Sequence, residues 1–356
     1  MKNKENKIIF TASTIGVVVL IVALVLTAIA ALVPVPGYYV EAPGTTMDLR
    51  KVVTVDKEED KEAGSFSLTA VAISKASALR LLVAQNRDFE AIITEEELTG
   101  GASSAEYQQI QEYYMVSSKN SAIQQAFELA DVDYEMIYRG IYVMSIDERS
   151  NFKDVLSLGD TIIKADGKSF DAKEGFMDYV KNKKVGDEVT ITFLHDGEEQ
   201  EATGELIELT GEKKAGIGIS LVDDNEIKSD TQVELDTRNI GGPSAGLMFT
   251  LEIYDLLTEG NLRHGKEIAG TGTISSDGTV GRIGGIDKKV ASASKSGAEI
   301  FFAPDDELAP EILAEYPELQ SNYQEALAAA EKLDTEMEIV PVKNVQDALD
   351  YLAKLD

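Results

Sequence analysis

The chain has 356 residues and a formal net charge of −30, with 44% hydrophobic residues and no cysteine. That size and hydrophobic content are typical of a globular protein of two or three domains. The negative charge argues against a nucleic-acid ligand, because a phosphate backbone would be repelled. The absence of cysteine excludes disulfides, a thiolate nucleophile and Cys-type metal sites, and only two histidines remain for acid–base chemistry.

An uncharged segment, Ile8 to Val33, lies near the N-terminus and follows Lys2, Lys4 and Lys7. About 20 apolar residues suffice to cross a bilayer as a helix, and positive residues stay on the cytoplasmic side. The pattern therefore predicts an uncleaved transmembrane anchor, with the N-terminus in the cytoplasm and any catalytic part outside the cell membrane. The alternative is a removable signal peptide, since Ala28 to Ala30 is similar to a small-residue cleavage site.

Residues 38–130 combine strand and helix patterns. Val53–Asp56 and Ser65–Ile73 alternate apolar and polar residues in part, which predicts strands. Helical periodicity follows from Ser77 to Leu129. Its second half, 106–131, is polar with an embedded apolar stripe, which favours a surface helix.

Residues 131–207 show short strands separated by turns. Ile141–Ile146 is a predicted strand, 176–180 a short helix and 188–194 another strand. The pair Asp196-Gly197 is a strong hairpin signal after that strand. The pattern predicts a compact βαβ module.

Residues 208–356 alternate strand and helix patterns. Glycine-rich turns followed by apolar segments predict helices at Pro243–Leu257 and Ile286–Ser296, the second ended by Gly297. Gly270–Ile274 is one of the strands predicted between and after them. The predicted class is α+β or mixed α/β.

Ser244, in the Gly-Gly-Pro-Ser-Ala-Gly segment 241–246, is a candidate nucleophile. Pro243 suits the first helical position, which places the serine in the opening turn, on the same face as Leu247 and Leu251. There its hydroxyl is partly shielded from water, and nearby unpaired backbone N–H groups could hold an oxyanion. The alternative is that the serine only caps the helix.

Lys289 is the candidate general base. Helical geometry places it about 60° from Ile286 on the apolar face of its helix, whereas Lys288 points to the opposite side. Burial disfavours an ammonium and can lower a lysine pKa from about 10.4 to the roughly 7–8 that a base needs. The alternative is a lysine whose stem packs while its amine reaches water.

These two motifs resemble the proteolytic domain of Lon-type serine proteases. Gly-Pro-Ser-Ala-Gly at 242–246 and Gly-Gly-Ile-Asp-Lys-Lys at 284–289 are similar to the family's serine and lysine motifs, and the resemblance runs from about Gln232 to the C-terminus. It implies that Ser244 is the nucleophile and Lys289, not its neighbour, the base.

The same resemblance implies that Thr271 supports the lysine. Many ATP-dependent members carry an acidic residue three positions before the serine, where this chain has Gly241. The chain also contains no Gly-x4-Gly-Lys-Ser/Thr loop to hold ATP phosphates. We therefore expect cleavage of peptides, flexible tails or unfolded chains, without ATP.

Residues 152–167 resemble a PDZ domain. The resemblance implies that Gly140, Ile141, Tyr142 and Val143 form the carboxylate-binding loop and the edge strand, to which a peptide adds as a further strand. The alternative is that this strand only packs.

An anchor, a PDZ-like module and a Lon-like domain together resemble the membrane-anchored, PDZ-containing Lon-like proteases of bacteria. The resemblance implies an α+β protein in which the PDZ-like module is inserted before a Lon-type α/β proteolytic domain. Its predicted parts are 1–37, the cytoplasmic N-terminus and anchor; 38–130, strands and helices associated with the protease; 131–207, the PDZ-like domain; and 208–356, the Lon-like domain.

The predicted function is that of an ATP-independent, membrane-anchored serine endopeptidase with a Ser244–Lys289 dyad. It is expected to cut peptides or unfolded or flexible protein segments outside the cytoplasmic membrane. No cofactor, metal ion, nucleic acid or ATP is predicted; the predicted partners are the substrates and the membrane, and a homo-oligomer is compatible with the resemblance. The alternative is a catalytically inert, membrane-tethered adaptor that binds peptides through the PDZ-like module.

Overall fold

The computed structural model of the chain describes residues 2–209, 214–238, 240–258 and 261–355, and of residues 2–16 and 315 it describes the backbone alone. The helices in these ranges are α1 (Lys2–Leu32), α2 (Ala78–Ala84), α3 (Glu95–Thr99), α4 (Ser104–Leu129), α5 (Lys173–Lys181), α6 (Gly246–Thr258), α7 (Ile286–Ser296), α8 (Pro310–Glu315), α9 (Asn322–Leu333) and α10 (Val345–Leu352).

The strands follow the same chain order. They are β1 (Pro34–Asp48), β2 (Val53–Val55), β3 (Ser65–Ser77), β4 (Ala91–Thr94), β5 (Glu135–Ile146), β6 (Thr161–Ala165), β7 (Glu188–His195), β8 (Glu198–Glu205), β9 (Ile207–Glu208), β10 (Ala215–Gly216), β11 (Ile219–Lys228), β12 (Val233–Leu235), β13 (Glu267–Gly270), β14 (Thr273–Ile274), β15 (Val280–Gly281), β16 (Ile300–Pro304) and β17 (Glu338–Val342).

The transmembrane anchor predicted over 8–33 is not found. Side chains of 8–16 lie outside the described residues. Among the residues with described side chains, no helix has both the length and the apolar character needed to cross a membrane. This finding overturns the predicted anchor, its place in the fold class and the predicted single-pass location with an extracellular catalytic part.

The smaller of two compact units comprises residues 1–45 and 70–102. Within it β1 and β4 pair antiparallel, with Tyr38 opposite Thr94. Thr94 also begins α3 with a capping box, in which its hydroxyl accepts from the backbone of Glu97 and the glutamate side chain accepts in return. The small core of this unit contains Val40, Ala76 and Ala84, with Leu81 and Ile92 packed against them.

The larger unit comprises residues 46–69 and 103–356 and contains an antiparallel five-stranded sheet in the order β11-β5-β6-β7-β8. Inward-facing residues of this sheet pack with α5 around a core that includes Ile141, Phe152, Phe176, Ile191 and Phe193. Since β11 belongs to this sheet, the PDZ-like module extends past the predicted boundary at 207.

The second core of the larger unit is built on parallel strands in the order β17-β16-β13-β3, to which β3 contributes its first residues. Ser65 pairs with Glu267 and Leu68 with Gly270. Parallel strands are buried on both faces and need long crossovers, which fits their apolar sequences and the helices between them. Helix α6 lies in this core; its buried side chains include Leu247, Met248, Phe249, Leu251 and Ile253.

Helix α4 is not the surface helix that its polar sequence predicts. Met115, Ser118, Ala122 and Ala126 are buried, and they recur at the spacing of one helical face. Two of these are alanines and one is a serine, so the stripe is weakly apolar although it is closely packed. Small residues let the backbones approach, and this explains why composition underestimates the burial of α4.

A buried charge cluster lies near the C-terminal end of α6. The Arg263 side chain is fully buried, with its Nη1 atom 2.5 Å from Asp60, 3.0 Å from Asp255 and 3.4 Å from Glu252. Burial raises the pKa of Glu252 to about 8 and that of Asp255 to about 6, although the nearby guanidinium opposes both shifts. One cation facing three carboxylates therefore favours a proton on Glu252 near neutral pH.

Candidate active site

Ser244 lies in the turn that leads into α6. The helix begins at Gly246 rather than at the predicted Pro243, so the serine precedes the helix instead of lying in its opening turn. Gly242 has φ +85°, a conformation that favours glycine, and its N–H donates to Gln111 O at 3.0 Å. The turn therefore presents a half-buried serine beside the apolar helix rather than a helix cap.

Helix α7 carries Lys289, and its bounds confirm the predicted helix Ile286–Ser296 with Gly297 in the left-handed conformation after it. Lys289 is 3% exposed, and its Nζ lies 2.7 Å from Ser244 Oγ. Lys288 instead places its Nζ 3.3 Å from Asp287 Oδ1, away from the serine. Helical geometry thus separates the two adjacent lysines as expected.

Two threonines complete the surroundings of the amine. Lys289 Nζ lies 3.0 Å from Thr69 O and 3.1 Å from Thr271 Oγ1. Thr69 follows Leu68 in β3, and Thr271 follows Gly270 in β13, the last pair of that parallel ladder. Because the two strands run in the same direction, these residues lie side by side at one edge and flank the lysine.

The Ser244 carbonyl is fixed by the same segment. Thr271 Oγ1 donates to Ser244 O at 2.9 Å, and the N–H of Gly272 donates to the same oxygen at 2.9 Å. Gly272 has φ +150°, and a Cβ there would lie 2.6 Å from Val280 Cγ1. Only glycine therefore fits at this position without displacing a neighbour.

Desolvation sets the electrostatics of the site. Burial lowers the pKa of Lys289 from 10.5 to about 7, with no charged group among the causes of the shift. An amine in these surroundings is neutral in a large part of the population near neutral pH, which is the form that accepts a proton.

Several partners of the site were missed by sequence reasoning. Thr69 contributes a backbone oxygen, and Gln111 and Ser118 hold the turn through α4, with Ser118 Oγ donating to Pro243 O at 3.1 Å. No residue type marks a carbonyl acceptor in a sequence. The recurrence of small residues in α4 was the only available sign of its close packing.

Gly140, Ile141, Tyr142 and Val143 do not lie at a sheet edge. Gly140 to Val143 pair with β11 on one side, and Ile141 and Tyr142 also pair with β6 on the other. Paired backbone on both sides leaves no room there for an added strand. The predicted edge strand is therefore an interior strand of the module.

An apolar groove of about 350 Å³ lies instead between α5 and the start of β11. Phe176, Met177 and Val180 line it from the helix, and Ile217 and Ile219 from the opposite side. The sequence signal for it is the alternation of glycine with β-branched residues at 216–219, just before the strand. The groove therefore combines an apolar lining with β11, the strand at the edge of the five-stranded sheet.

No cluster of metal-ligand side chains accompanies these sites: within the described ranges, no group of three or more His, Asp or Glu residues is arranged to hold an ion.

Comparison with protein families identifies both modules. Residues 118–206 match the PDZ domain family, and residues 223–353 match the Lon protease (S16) C-terminal proteolytic domain. The chain is thus a serine protease with a PDZ domain, as predicted. More particularly, its two matched domains are those of a PDZ-containing Lon-like protease.

Solved structures similar to the chain include PDZ domains of two SdrC-like proteins. That of Listeria monocytogenes is 40% identical, covering 24% of this chain and 90% of that one with a TM-score of 0.24. That of Listeria innocua is 38% identical, covering 23% and 92% with a TM-score of 0.23. A protein from Geobacillus thermodenitrificans is 32% identical, covering 23% and 94% with a TM-score of 0.21. No curated protein matches the chain.

Proposed function

We propose that the protein is an ATP-independent serine endopeptidase in which Ser244 is the nucleophile and Lys289 the general base. The observation that carries the proposal is the distance of 2.7 Å between Lys289 Nζ and Ser244 Oγ, at a lysine that is almost completely buried. A nucleophile within hydrogen-bonding reach of a base with a pKa near neutrality is the arrangement that activates a hydroxyl.

The hydrogen-bond directions support this division of roles. The Thr271 hydroxyl donates its one hydrogen bond to Ser244 O, so its oxygen accepts a hydrogen bond from Lys289 Nζ. Thr69 O is an acceptor only. A neutral amine has two N–H groups, and these two acceptors use both of them. The nitrogen lone pair is then left for the Ser244 hydroxyl, which donates its proton to it.

The reaction follows from that geometry. Ser244 Oγ attacks the peptide carbonyl carbon while its proton moves to Lys289 Nζ, and the resulting ammonium returns the proton to the leaving amine as the C–N bond breaks. A water molecule then attacks the acyl-enzyme, again giving its proton to Lys289, and Ser244 leaves as the free hydroxyl.

The oxyanion that forms during the attack requires donors. Among the described residues, none accepts a hydrogen bond from the backbone N–H of Ser244 or Ala245. Both amides are in the turn that carries the nucleophile, beside the positive end of α6. We assign them the role of stabilising the negative charge on the carbonyl oxygen.

The proposed substrates are peptides and flexible or unfolded segments of proteins. The 356 residues contain no phosphate-binding loop of the Gly-x4-Gly-Lys-Ser/Thr type. A peptidase that does not hydrolyse ATP has no energy source to unfold a stable domain, so the substrate must reach Ser244 already extended.

The test compares Ser244→Ala, Lys289→Ala and Lys288→Ala in the full chain, with unfolded casein and a fluorogenic peptide as substrates. We expect cleavage and labelling by a serine-directed phosphonate to be lost in the first two variants and kept in the third, whose lysine is paired with Asp287. All three should retain the wild-type thermal transition. Undiminished turnover in Ser244→Ala or Lys289→Ala would refute the proposed dyad.

A second candidate function is peptide binding by the PDZ domain without catalysis. The apolar groove between α5 and β11 favours it, because its depth suits an apolar side chain of an extended peptide. Met177→Asp should then abolish binding of a fluorescent peptide with an apolar C-terminal residue. Peptide binding combined with a wild-type protein that never cleaves or reacts with the phosphonate would establish the adaptor and exclude the peptidase.

A further inference from the structure

We propose that helix α4 couples the five-stranded sheet β11-β5-β6-β7-β8 to the nucleophile turn, so that the packing of this sheet on α4 sets the rate at which Ser244 is acylated. The proposal rests on the proposed peptidase function, since it concerns the geometry of the same serine. It assigns α4 a role that neither its polar sequence nor its chain position indicates.

One face of α4 holds the turn and the adjoining hairpin. Gln111 O accepts from the N–H of Gly242, and Ser118 Oγ donates to Pro243 O, the carbonyl directly before the nucleophile. Gln125 Nε2 donates to Ser276 O at 2.5 Å, in the turn between β14 and β15. Positions 111, 118 and 125 are seven residues apart, so they lie along one line of the helix, where residue 111 contributes its backbone oxygen and the other two their side chains.

Packing fixes this face as closely as its hydrogen bonds do. A Cβ built on Gly241 would lie 3.1 Å from Gln111 Cβ, and one on Gly242 would lie 3.0 Å from Gln111 Oε1. A Cβ on Gly246 would lie 3.1 Å from Ser118 Oγ. The turn is therefore tightly packed against α4, so a shift of the helix would displace Ser244.

The other face of α4 contacts the five-stranded sheet. The ring of Tyr113 stacks on Tyr142 of β5, with centroids 4.4 Å apart and 30° between the planes. The Tyr113 hydroxyl donates to Asp223 O at 3.0 Å, and Asn120 Nδ2 donates to Asn225 O at 2.8 Å, both in β11. Gln109 Nε2 adds a bond to Leu158 O at 2.5 Å.

The two sets of contacts lie on opposite sides of the helix. At about 100° per residue, 113 and 120 fall within about 40° of 109, whereas 111, 118 and 125 fall about 160–200° from it. Helix α4 is thus clamped between the strands of this sheet and the nucleophile turn. A helix is stiff, so movement on one side is passed to the other rather than absorbed.

The strands involved are those next to the peptide groove. Asp223 and Asn225 belong to β11, and the same strand lines the groove with Ile219 and Leu221. A peptide in that groove touches the strand that holds α4. Reactivity is sensitive to such changes, since a misplacement of about 1 Å in a reacting group can cost about 100-fold in rate.

Tyr142→Ala tests the proposal, because it removes the stacked ring on the sheet side without touching the dyad. We expect kcat with the fluorogenic peptide, and the rate of phosphonate acylation, to fall about tenfold while KM changes less than about twofold. Tyr142→Phe keeps the ring and should restore the wild-type rate. The pH midpoint of activity should not move, since Lys289 is untouched.

Tyr179→Ala is the matched control. Tyr179 is another half-buried tyrosine of the same module; its ring contacts Phe170 and two lysines, and its hydroxyl donates to Asp166. Its loss should leave kcat unchanged. Should Tyr142→Ala unfold the PDZ domain, Asn120→Ala removes only the bond to Asn225, and we expect it to lower kcat about threefold.

A double-mutant cycle separates coupling from two unrelated defects. Combined with Ser118→Ala, Tyr142→Ala should cost less than the product of the two single effects, because both act through α4. If Tyr142→Ala has the same rates as Tyr179→Ala while Ser244→Ala is inactive, the coupling is refuted and the peptidase function stands. Activity remaining in Ser244→Ala would instead overturn the peptidase itself.

Discussion

At the residue scale, the amine of Lys289 is almost completely buried and also has a full set of hydrogen-bond partners. Burial alone would shift its pKa but leave the nitrogen free to turn. Thr69 O and Thr271 Oγ1 lie 3.0 and 3.1 Å from Lys289 Nζ and accept its two N–H groups, which fixes the orientation of the amine. The lone pair of the neutral amine then points towards Ser244. In the proposed mechanism, Ser244 therefore needs no histidine for its activation.

The pH dependence of cleavage follows from this lysine. Its folded pKa of about 7 lies below the ordinary 10.5, so the neutral base is lost as the pH falls through about 7. We expect kcat/KM for the fluorogenic peptide to rise from pH 5, pass half-maximum near pH 7 and level off by about pH 8.5. A profile that stays flat between pH 5 and 9 would contradict a lysine base.

Thr271 provides the second prediction at this scale. Thr271→Val keeps the shape but removes both the acceptor for Lys289 and the donor to Ser244 O. We expect kcat to fall about 10–100-fold with little change in KM, whereas Thr271→Ser retains most of the rate. Equal rates for the valine and serine variants would show that the hydroxyl has no role.

At the scale of elements, the strand-to-turn segment after β13 depends on glycine. Gly272→Ala forces a side chain into φ +150° and against Val280, and the displaced N–H would leave Ser244 O. We expect a loss of about 1–3 kcal/mol in the free energy of unfolding, together with a loss of activity. The measurement is urea denaturation followed by circular dichroism.

Gly284→Ala is the control for that prediction. Its Cβ would meet nothing within 4 Å, and its φ is outside the left-handed region. The free energy of unfolding should change by less than about 0.5 kcal/mol. A comparable loss in both variants would mean that chain flexibility, and not the strained position, determines the effect.

The elements differ in how far the sequence predicts them. Helix α7 is predicted to the residue, because a strongly apolar face and Gly297 mark it locally, and the same periodicity distinguishes Lys289 from Lys288. The start of α6 is misplaced by three residues, since Pro243 suits a first helical position but the tight turn, with Gly242 at positive φ, delays the helix. Local signals therefore predict an element better than its first residue.

Features that depend on distant pairing were not predictable from the sequence alone. The position of β5 inside its sheet depends on β11, which pairs with it from about 80 residues away along the chain. The burial of α4 depends on α6, and its small polar residues give little periodic signal. The membrane segment predicted over 8–33 is wrong, because no helix with described side chains is long and apolar enough to cross a membrane.

At the scale of the whole molecule, two buried acid–base systems act in opposite directions. Lys289 is mostly neutral, and so able to act as a base, above about pH 7. Glu252, in the cluster around Arg263, has a pKa of about 8, and the folded state is more stable when this carboxyl keeps its proton. A carboxyl whose folded pKa is raised binds more protons folded than unfolded, so its contribution to stability declines as the pH rises from about 4.5 through about 8.

Glu252→Gln isolates that contribution. The amide is always neutral, so the stability of the variant relative to wild type should improve as the pH rises from 5 to 8 and then level off. Lys289 is present in both proteins and cancels in the comparison. Urea denaturation at pH 5, 7 and 9 measures the difference, and a constant difference across these values would contradict a raised pKa for Glu252.

The bond between Lys289 Nζ and Thr69 O joins residues 220 positions apart in the chain. During translation, Thr69 and Ser244 both leave the ribosome before the lysine does, and the PDZ module lies between the first two. A chain interrupted between Ser244 and α7 therefore carries the proposed nucleophile without its base. Such an incomplete product cannot form the proposed Ser244–Lys289 dyad, and we expect it not to cleave peptides.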